Sequence, residues 1–373
     1  MNIPRLLKAA PIGAVLACCA APAAVAAGDA SLFKGTVGKH PIVLKLDVSG
    51  DEATAAYFYA RFKQDITLQG SASQQSYELA SDSSGDKFSL HKAGDGLSGT
   101  LTTAKGTTLP VTLSAVRDEP PDPEPGLHFE SPLSDYDRIK LADLHFVAGK
   151  DESVGKRTIQ RSTEPLSGIS LFRVTGGYAE TVLPAINRVI DRDLYQNLSY
   201  YFSCGGAEGK GSGAEIALAS RFLGERLLSY SITQNLSCQE AAHPSMGWSG
   251  TTIDATTGRE LALEEVWWPE SGGKPVSAPQ GQAARTEYYR GVFAKAVIRL
   301  FRKLYPQQMK PSSDEPCDYT DPTVWEVVSW TVSDKGLQLS PSFSEAAKVC
   351  ESTDWAIVPY SVLQRDNPAL FAN

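Results

Sequence analysis

The chain reads as an α+β protein in two parts. An N-terminal all-β meander module is followed, across a proline-rich spacer, by a disulfide-braced α+β domain with an antiparallel sheet and two long helices. Three observations lead there. Between Leu32 and Val116, short runs of alternating apolar residues are parted by glycines. From Asp118 to Gly126, four prolines stand among carboxylates. Beyond them, two stretches carry apolar residues at a period of 3.6 among further strand-like runs.

Taken in order, residues 1–26 hold Arg5 and Lys8 and then an uncharged run from Ala9 to Ala26, the layout of a signal peptide with cleavage after Ala24-Val25-Ala26. The alternative is lipid anchoring at Cys18, after the imperfect box Val15-Leu16-Ala17. Cleavage predicts a periplasmic or secreted protein, with no transmembrane segment in the mature chain. It removes Cys18 and Cys19 and leaves Cys204, Cys238, Cys317 and Cys350. An even count in an oxidising compartment points to disulfides. Of three pairings, Cys204–Cys238 and Cys317–Cys350 are expected, because each pair flanks one strand-loop unit. No two of these cysteines are close enough in sequence to form a zinc half-site, so no metal is expected. Losing Arg5 and Lys8 takes the formal charge from −8 to −10. That acidity argues against nucleic acid as a partner and favours a cationic one, or serves solubility alone.

The meander module spans 31–117. Its runs include Ile42 to Leu46, Ala55 to Tyr59, Ile66 to Leu68, Tyr77 to Leu79, Phe88 to Leu90 and Val111 to Leu113. Their spacing predicts about six to eight strands that form a small barrel or an open curved sheet. The pattern apolar-x-Gly recurs at Phe33-Lys34-Gly35, Leu68-Gln69-Gly70 and Leu97-Ser98-Gly99, as if one hairpin unit were reused. The spacer, 118–126, lacks donors at its prolines and carries repelling carboxylates, which predicts a semi-rigid segment that does not pack.

The second domain is placed at 127–373. Strands are expected near Leu141 to Phe146 and Ile169 to Phe172, then at Ala214 to Phe222, Arg226 to Leu236, Ser249 to Asp254, Trp325 to Val332, Gly336 to Leu339 and Trp355 to Pro359. One helix is expected from about Ala179 to Leu198, with Val182, Ile186, Val189, Ile190, Leu194 and Leu198 on one face. A second is expected from about Ala283 to Tyr305, with Tyr288, Tyr289, Val292, Phe293, Val297, Phe301 and Leu304 turned inward, ended by Pro306. Helices packed on one side of a sheet are the architecture this order predicts.

Chemical signatures are sparse. The glycine-rich stretch Gly205 to Ser212 fails as a phosphate loop, because Cys204 and Gly211 stand where glycine and Ser or Thr are needed. No Gly-x-Ser-x-Gly elbow or His-Glu-x-x-His helix occurs. No catalytic residue and no cofactor are therefore assigned. The candidate binding residues are His243, before Pro244, with Trp248 nearby, and Trp268, beside Pro269. Asp254, Glu260, Glu264 and Glu265 could suggest a glycosidase acid pair, but Glu264 and Glu265 at a helix start are explained by the helix dipole.

The phrase from Thr251 to Trp267, with a strand ending at Asp254, the Thr257-Gly258 turn and the helix start at Leu261-Ala262-Leu263-Glu264, resembles the C-terminal domain of the RsiV anti-sigma factor. That domain is also appended to PdaC-type polysaccharide deacetylases, and its function is mostly unknown. Gly336-Leu337-Gln338-Leu339 and Ile357-Val358-Pro359-Tyr360-Ser361-Val362-Leu363 carry the likeness to about Leu363. It starts near Gly176 and covers about half the chain. Where the family commonly has Gly-Gly-Ala-His, this sequence has Glu240-Ala241-Ala242-His243. RsiV-type proteins sense lysozyme by binding it. The resemblance thus implies a non-enzymatic binding protein of the cell envelope that recognises a cationic protein such as lysozyme, or a cell-wall component. The alternatives are a cell-wall glycan-acting enzyme or accessory subunit, and an envelope structural or assembly protein.

Overall fold

The computed structural model describes residues 31–123, 133–205, 213–238, 241, 243–269, 281–311 and 317–371. The signal segment, Cys18 and the glycine-rich stretch 206–212 lie outside them.

Eight strands form a closed barrel in which each pairs with its sequence neighbour and the last closes on the first: β1 (Ser31–Val37), β2 (His40–Ser49), β3 (Glu52–Tyr59), β4 (Ile66–Ala72), β5 (Ser76–Ala80), β6 (Lys87–Ala93), β7 (Gly96–Thr102) and β8 (Thr108–Ala115). The meander thus closes rather than remaining an open sheet, which leaves no free edge. Phe33, Leu44, Tyr57, Leu68, Phe88 and Leu101 fill its interior. The repeated apolar-x-Gly motif now has a cause. A Cβ on Gly35, Gly70 or Gly99 would lie about 2 Å from a carbonyl of the neighbouring strand, so only glycine lets the strands coil this tightly.

Next come α1 (Asp135–Leu141), β9 (Val147–Val154), β10 (Arg157–Thr163), β11 (Ser170–Gly176) and α2 (Leu183–Ser203). The strand expected at Leu141 to Phe146 is instead the end of α1 and a turn. Ser134 caps α1, accepting from Asp137 N, and Asp135 and Asp137 favour its N-terminus. The spacer packs where described. Pro120 is buried, and Arg138 of α1 pairs with Glu119 at 2.7 Å and Asp122 at 3.4 Å, offsetting the repulsion that predicted a solvated segment. Helix α2 starts four residues later than expected, with Pro184 in its first turn, and runs on to Ser203.

The barrel is joined to these helices through buried polar contacts. Lys63, at φ 59°, turns the chain just ahead of Gln64 and Asp65. Gln64 Nε2 donates to the carbonyls of Tyr201, Phe202 and Cys204, and Asp65 N donates to that of Phe202, so a barrel loop satisfies the orphan carbonyls at the end of α2. Lys140, fully buried, reaches Asp65 at 2.8 Å and Asp137 at 3.3 Å. Phe58, Val43, Tyr136 and Ile139 pack around this junction.

The remaining elements are β12 (Ala214–Leu223), β13 (Leu227–Leu236), β14 (Ser245–Asp254), β15 (Arg259–Glu260), α3 (Leu263–Val266), α4 (Gln282–Tyr288), α5 (Ala294–Leu304), β16 (Val328–Ser333), β17 (Gly336–Pro341), β18 (Ile357–Pro359), α6 (Tyr360–Asp366) and α7 (Pro368–Phe371). A π-helical turn, Tyr289–Phe293, joins α4 to α5, and 3₁₀ segments span Pro322–Trp325 and Glu345–Glu351. The wider helical turn explains why the predicted inward set is only partly right. Its extra residue rotates the face, so Val292 and Leu304 are exposed while Ala294 and Ile298 are buried. The strand expected from Trp325 begins at Val328, because Pro322 starts a 3₁₀ turn there.

Instead of one sheet with helices on one side, three sheets form: β11-β10-β9, β12-β13-β14-β15 and β16-β17-β18. The middle one is covered on both faces. Leu228, Tyr230, Ile232 and Ile253 share a core with Ile186, Ile190, Leu194 and Leu198 of α2. The alternate residues turn towards β16. Ser229 Oγ accepts from Val332 N at 3.0 Å, Ser329 Oγ donates to Trp248 O at 2.8 Å, and a Cβ on Gly250 would lie 1.9 Å from Trp330 O. Small residues on that face let the β16 backbone press against the sheet.

Both expected disulfides form, Cys204–Cys238 and Cys317–Cys350, closing loops of 34 and 33 residues. Reducing either is expected to cost about 3–4 kcal/mol in the chain-entropy model, measurable by urea unfolding with and without reductant. Gly250→Ala is expected to lower the unfolding free energy by about 1–3 kcal/mol, since the β14 and β16 backbones must part; an unchanged urea midpoint would contradict that packing.

Candidate functional site

A cleft of about 570 Å³ opens between α2, the β13–β14 pair and the start of α1. Its floor follows from helical spacing. Asp193, Asn197 and Tyr200 recur at intervals of four and three on one flank of α2, while Ile190, Leu194 and Leu198 go to the core beside them. Facing them are Gln234 of β13 with Ser249 and Thr251 of β14, and Leu133, Ser134 and Asp137 close one side.

Asp193 is buried, and its oxygens are taken by donors from three elements. Tyr230 Oη donates at 2.6 Å and Thr251 Oγ1 at 2.7 Å to Oδ2, and Arg192 Nη2 donates at 2.6 Å to Oδ1. Arg192 Nη1 also meets Glu260 at 2.5 Å. Burial opposes the Arg192 charge, but the bonds to Glu260 and Asp193 outweigh it and raise the pKa. Gln234 Nε2 donates at 2.7 Å to Asn197 Oδ1, and Asn197 Nδ2 donates at 2.7 Å to Asp193 O, which ties sheet to helix a second time. Burial first, and then the charge of Asp193, push Tyr230 well above the usual phenol range.

Glu260 is delivered by the Thr-Gly turn. Asp254 Oδ1 accepts from Thr256 N at 2.8 Å and Thr256 Oγ1 at 2.6 Å, and Gly258, at φ +74°, passes so close to Ala185 that a Cβ would lie 2.4 Å from its methyl. With the turn seated on α2, β15 brings Glu260 to Arg192.

The residues singled out in the sequence are scattered. His243 is exposed, two residues ahead of β14. Trp248 lines a second cleft, on the other face of β14. Trp268 is half-buried and stacks on Tyr288, with centroids 4.0 Å apart, against the core that also holds Trp267 and Trp325. Of the carboxylates, Asp254 serves its turn and Glu260 pairs with Arg192. Glu264 is buried, with Arg285 at 3.5 Å, and Glu265 accepts from Arg259 at 2.8 Å and from Ala262 N at 2.9 Å. Each is engaged locally. Sequence reasoning does not single out Arg192, Asp193, Asn197 or Gln234; the signal for the first three is a run of charged and amide residues on one flank of α2, while Gln234 sits on β13 and has no such signal. Among the described residues no group of three or more His, Cys, Asp or Glu is placed to hold a metal ion, and no helix is long and apolar enough to cross a membrane.

No family model matches the chain, and no curated protein matches it.

Two further tyrosines repeat the Tyr230 arrangement. Tyr57 Oη donates to Asp86 at 2.6 Å and Tyr136 Oη to Asp65 at 2.8 Å, and burial, then the carboxylate, raises both pKa values. All three stay protonated in the folded chain when the unfolded chain ionises near pH 10. Their contribution is therefore complete below about pH 10 and lost above it, by about 1.4 kcal/mol per pH unit for each tyrosine. Urea unfolding between pH 7 and 11 is expected to show a plateau and then a steep fall, shallower in Tyr230→Phe.

Proposed function

We propose that this chain is an exported, non-enzymatic binding protein of the cell envelope, and that the cleft on α2 receives basic side chains of a cationic partner protein. The observation that carries this reading is the charge balance of the cleft lining, Asp137, Asp193 and Glu260 against Arg192, with the buried Lys140 behind Asp137 shared between Asp137 and Asp65. Arg192 is committed to Asp193 and Glu260, so it repels an incoming cation less than a free guanidinium would. Tyr200, 57% exposed at the rim, adds an aromatic face on which a lysine or arginine can lie. A cleft of this volume admits several side chains.

The charge of −10 left after signal removal would draw a cationic protein from a distance. Two disulfides fit an oxidising compartment, periplasmic or extracellular. Lysozyme is the first partner to test, because the Thr251 to Trp267 phrase resembles the RsiV type.

Calorimetric titration of lysozyme into the chain lacking residues 1–26 is expected to give binding that weakens at least tenfold between about 25 and about 300 mM salt. Tyr200→Ala should weaken it several-fold, mostly through the dissociation rate, while leaving the urea midpoint nearly unchanged, and Asp137→Asn should weaken it several-fold while also lowering the urea midpoint, because Asp137 pairs with the buried Lys140. Absence of heat at low salt with lysozyme and with a cationic envelope extract would remove the reading.

A further inference from the structure

The second cleft, about 660 Å³, lies on the opposite face of the β13–β14 pair, between those strands, β17 and the 3₁₀ segment Glu345–Glu351. We propose that it is a saccharide site, built to hold a neutral pyranose oligomer against Trp248.

The chain has six tryptophans. Five of them, Trp267, Trp268, Trp325, Trp330 and Trp355, belong to a single hydrophobic core, and four of those also have an aromatic ring partner. Trp248 does neither. It stands half-buried in the wall of a polar cleft, so part of its indole borders that space. Around it are groups that pair with hydroxyls: the amides of Asn235 and Gln338 and the carboxylates of Glu351 and Asp354. A pyranose presents an apolar C–H face and a ring of hydroxyls, which is the complement of one half-buried indole bordered by amides and carboxylates. Lys348 is paired with Glu351 at 3.2 Å, and Asp354 leaves the lining with a surplus negative charge, so a neutral sugar suits it better than an acidic one.

The cleft is held rigid although its outer wall is only a short, kinked 3₁₀ segment. The Cys317–Cys350 disulfide anchors that segment. Glu351 accepts from Phe343 N at 2.7 Å and its carbonyl accepts from Ser340 Oγ at 2.6 Å. Thr353 Oγ1 donates to Leu339 O at 2.8 Å, and Gln338 Nε2 donates to Thr353 O at 3.1 Å, which leaves the Gln338 amide oxygen without a donor among the described residues. The bound geometry is thus assembled before any ligand arrives, which lowers the entropy lost on binding.

The test is a nuclear magnetic resonance titration of the oxidised chain, with the Trp248 indole signal assigned from Trp248→Phe. The probes are cellotetraose, the tetramer of N-acetylglucosamine, mannotetraose and, as the acidic comparison, tetragalacturonate. At least one neutral tetramer is expected to shift the Trp248 signal with a millimolar or tighter Kd and to exceed tetragalacturonate. Trp248→Ala should weaken it at least tenfold, and Asn235→Ala, at an exposed position, several-fold, with the urea midpoints showing that both variants fold. The proposal is overturned if no neutral tetramer shifts the signal at about 10 mM, or if Trp248→Ala binds as tightly as the unaltered chain. Lysozyme titration of Trp248→Ala reads the α2 cleft separately, so one reading can fail without the other.

Discussion

Asp193 is a carboxylate held out of water, and the second half of the molecule is arranged around keeping it satisfied. A buried charge is tolerated only when donors surround it. Here the donors come from α2 itself, from β13 through Tyr230 and from β14 through Thr251. Sliding the helix along the sheet, or opening the hairpin, would strand that charge. The distance between helix and sheet is therefore set by hydrogen-bond lengths as well as by core packing, and the acidic cleft is the space this spacing leaves beside the core.

The barrel contributes to the same arrangement from the far end of α2. Its loop at Gln64 and Asp65 supplies donors to the last carbonyls of the helix, and Asp65 simultaneously accepts from Lys140 and Tyr136. Immediately beyond those carbonyls, Cys204 is bonded to Cys238 just past the end of β13. The C-terminus of α2 is thereby fixed by a cap and by a covalent link, and its N-terminal half by the Gly258 turn and the Arg192–Glu260 pair. Each disulfide fastens a wall of one cleft: the first holds α2, the second the 3₁₀ segment at Glu345–Glu351.

How much of this is legible in the sequence depends on whether the signal is local. The β-meander, the position of α2 and the Thr-Gly turn are legible, because alternation, helical period and turn chemistry act over a few residues, and both cysteine pairings are legible because each pair brackets one strand-loop unit. Barrel closure is not, since the β1–β8 pairing is between residues about eighty apart. The strand wrongly expected at Leu141 to Phe146 is an apolar run too short for its period to separate helix end from strand. Ser229, Ser231, Gly250 and Thr252 carry the pattern of a solvent-facing side, yet they lie under β16, because a close backbone needs small neighbours just as water tolerates polar ones. The α2 cleft is hidden for a related reason. Arg192 and Asp193 look like surface charges on an amphipathic helix until the sheet supplies their partners. Trp248 is visible as a candidate but not its surroundings, which come from β17 and the segment around Glu351, about a hundred residues further on.

The two clefts are lined by the same strands at alternating positions: Ile232, Gln234, Ser249 and Thr251 on one face, Thr233, Asn235, Met246 and Trp248 on the other. The β13–β14 hairpin is in this sense a page written on both sides. Substitutions can alter either surface while leaving the other as it was, so the two could diverge independently. Insertion or loss of a single residue within β14 cannot, because it would turn the β14 side chains beyond it to the opposite side and carry residues of one cleft into the other.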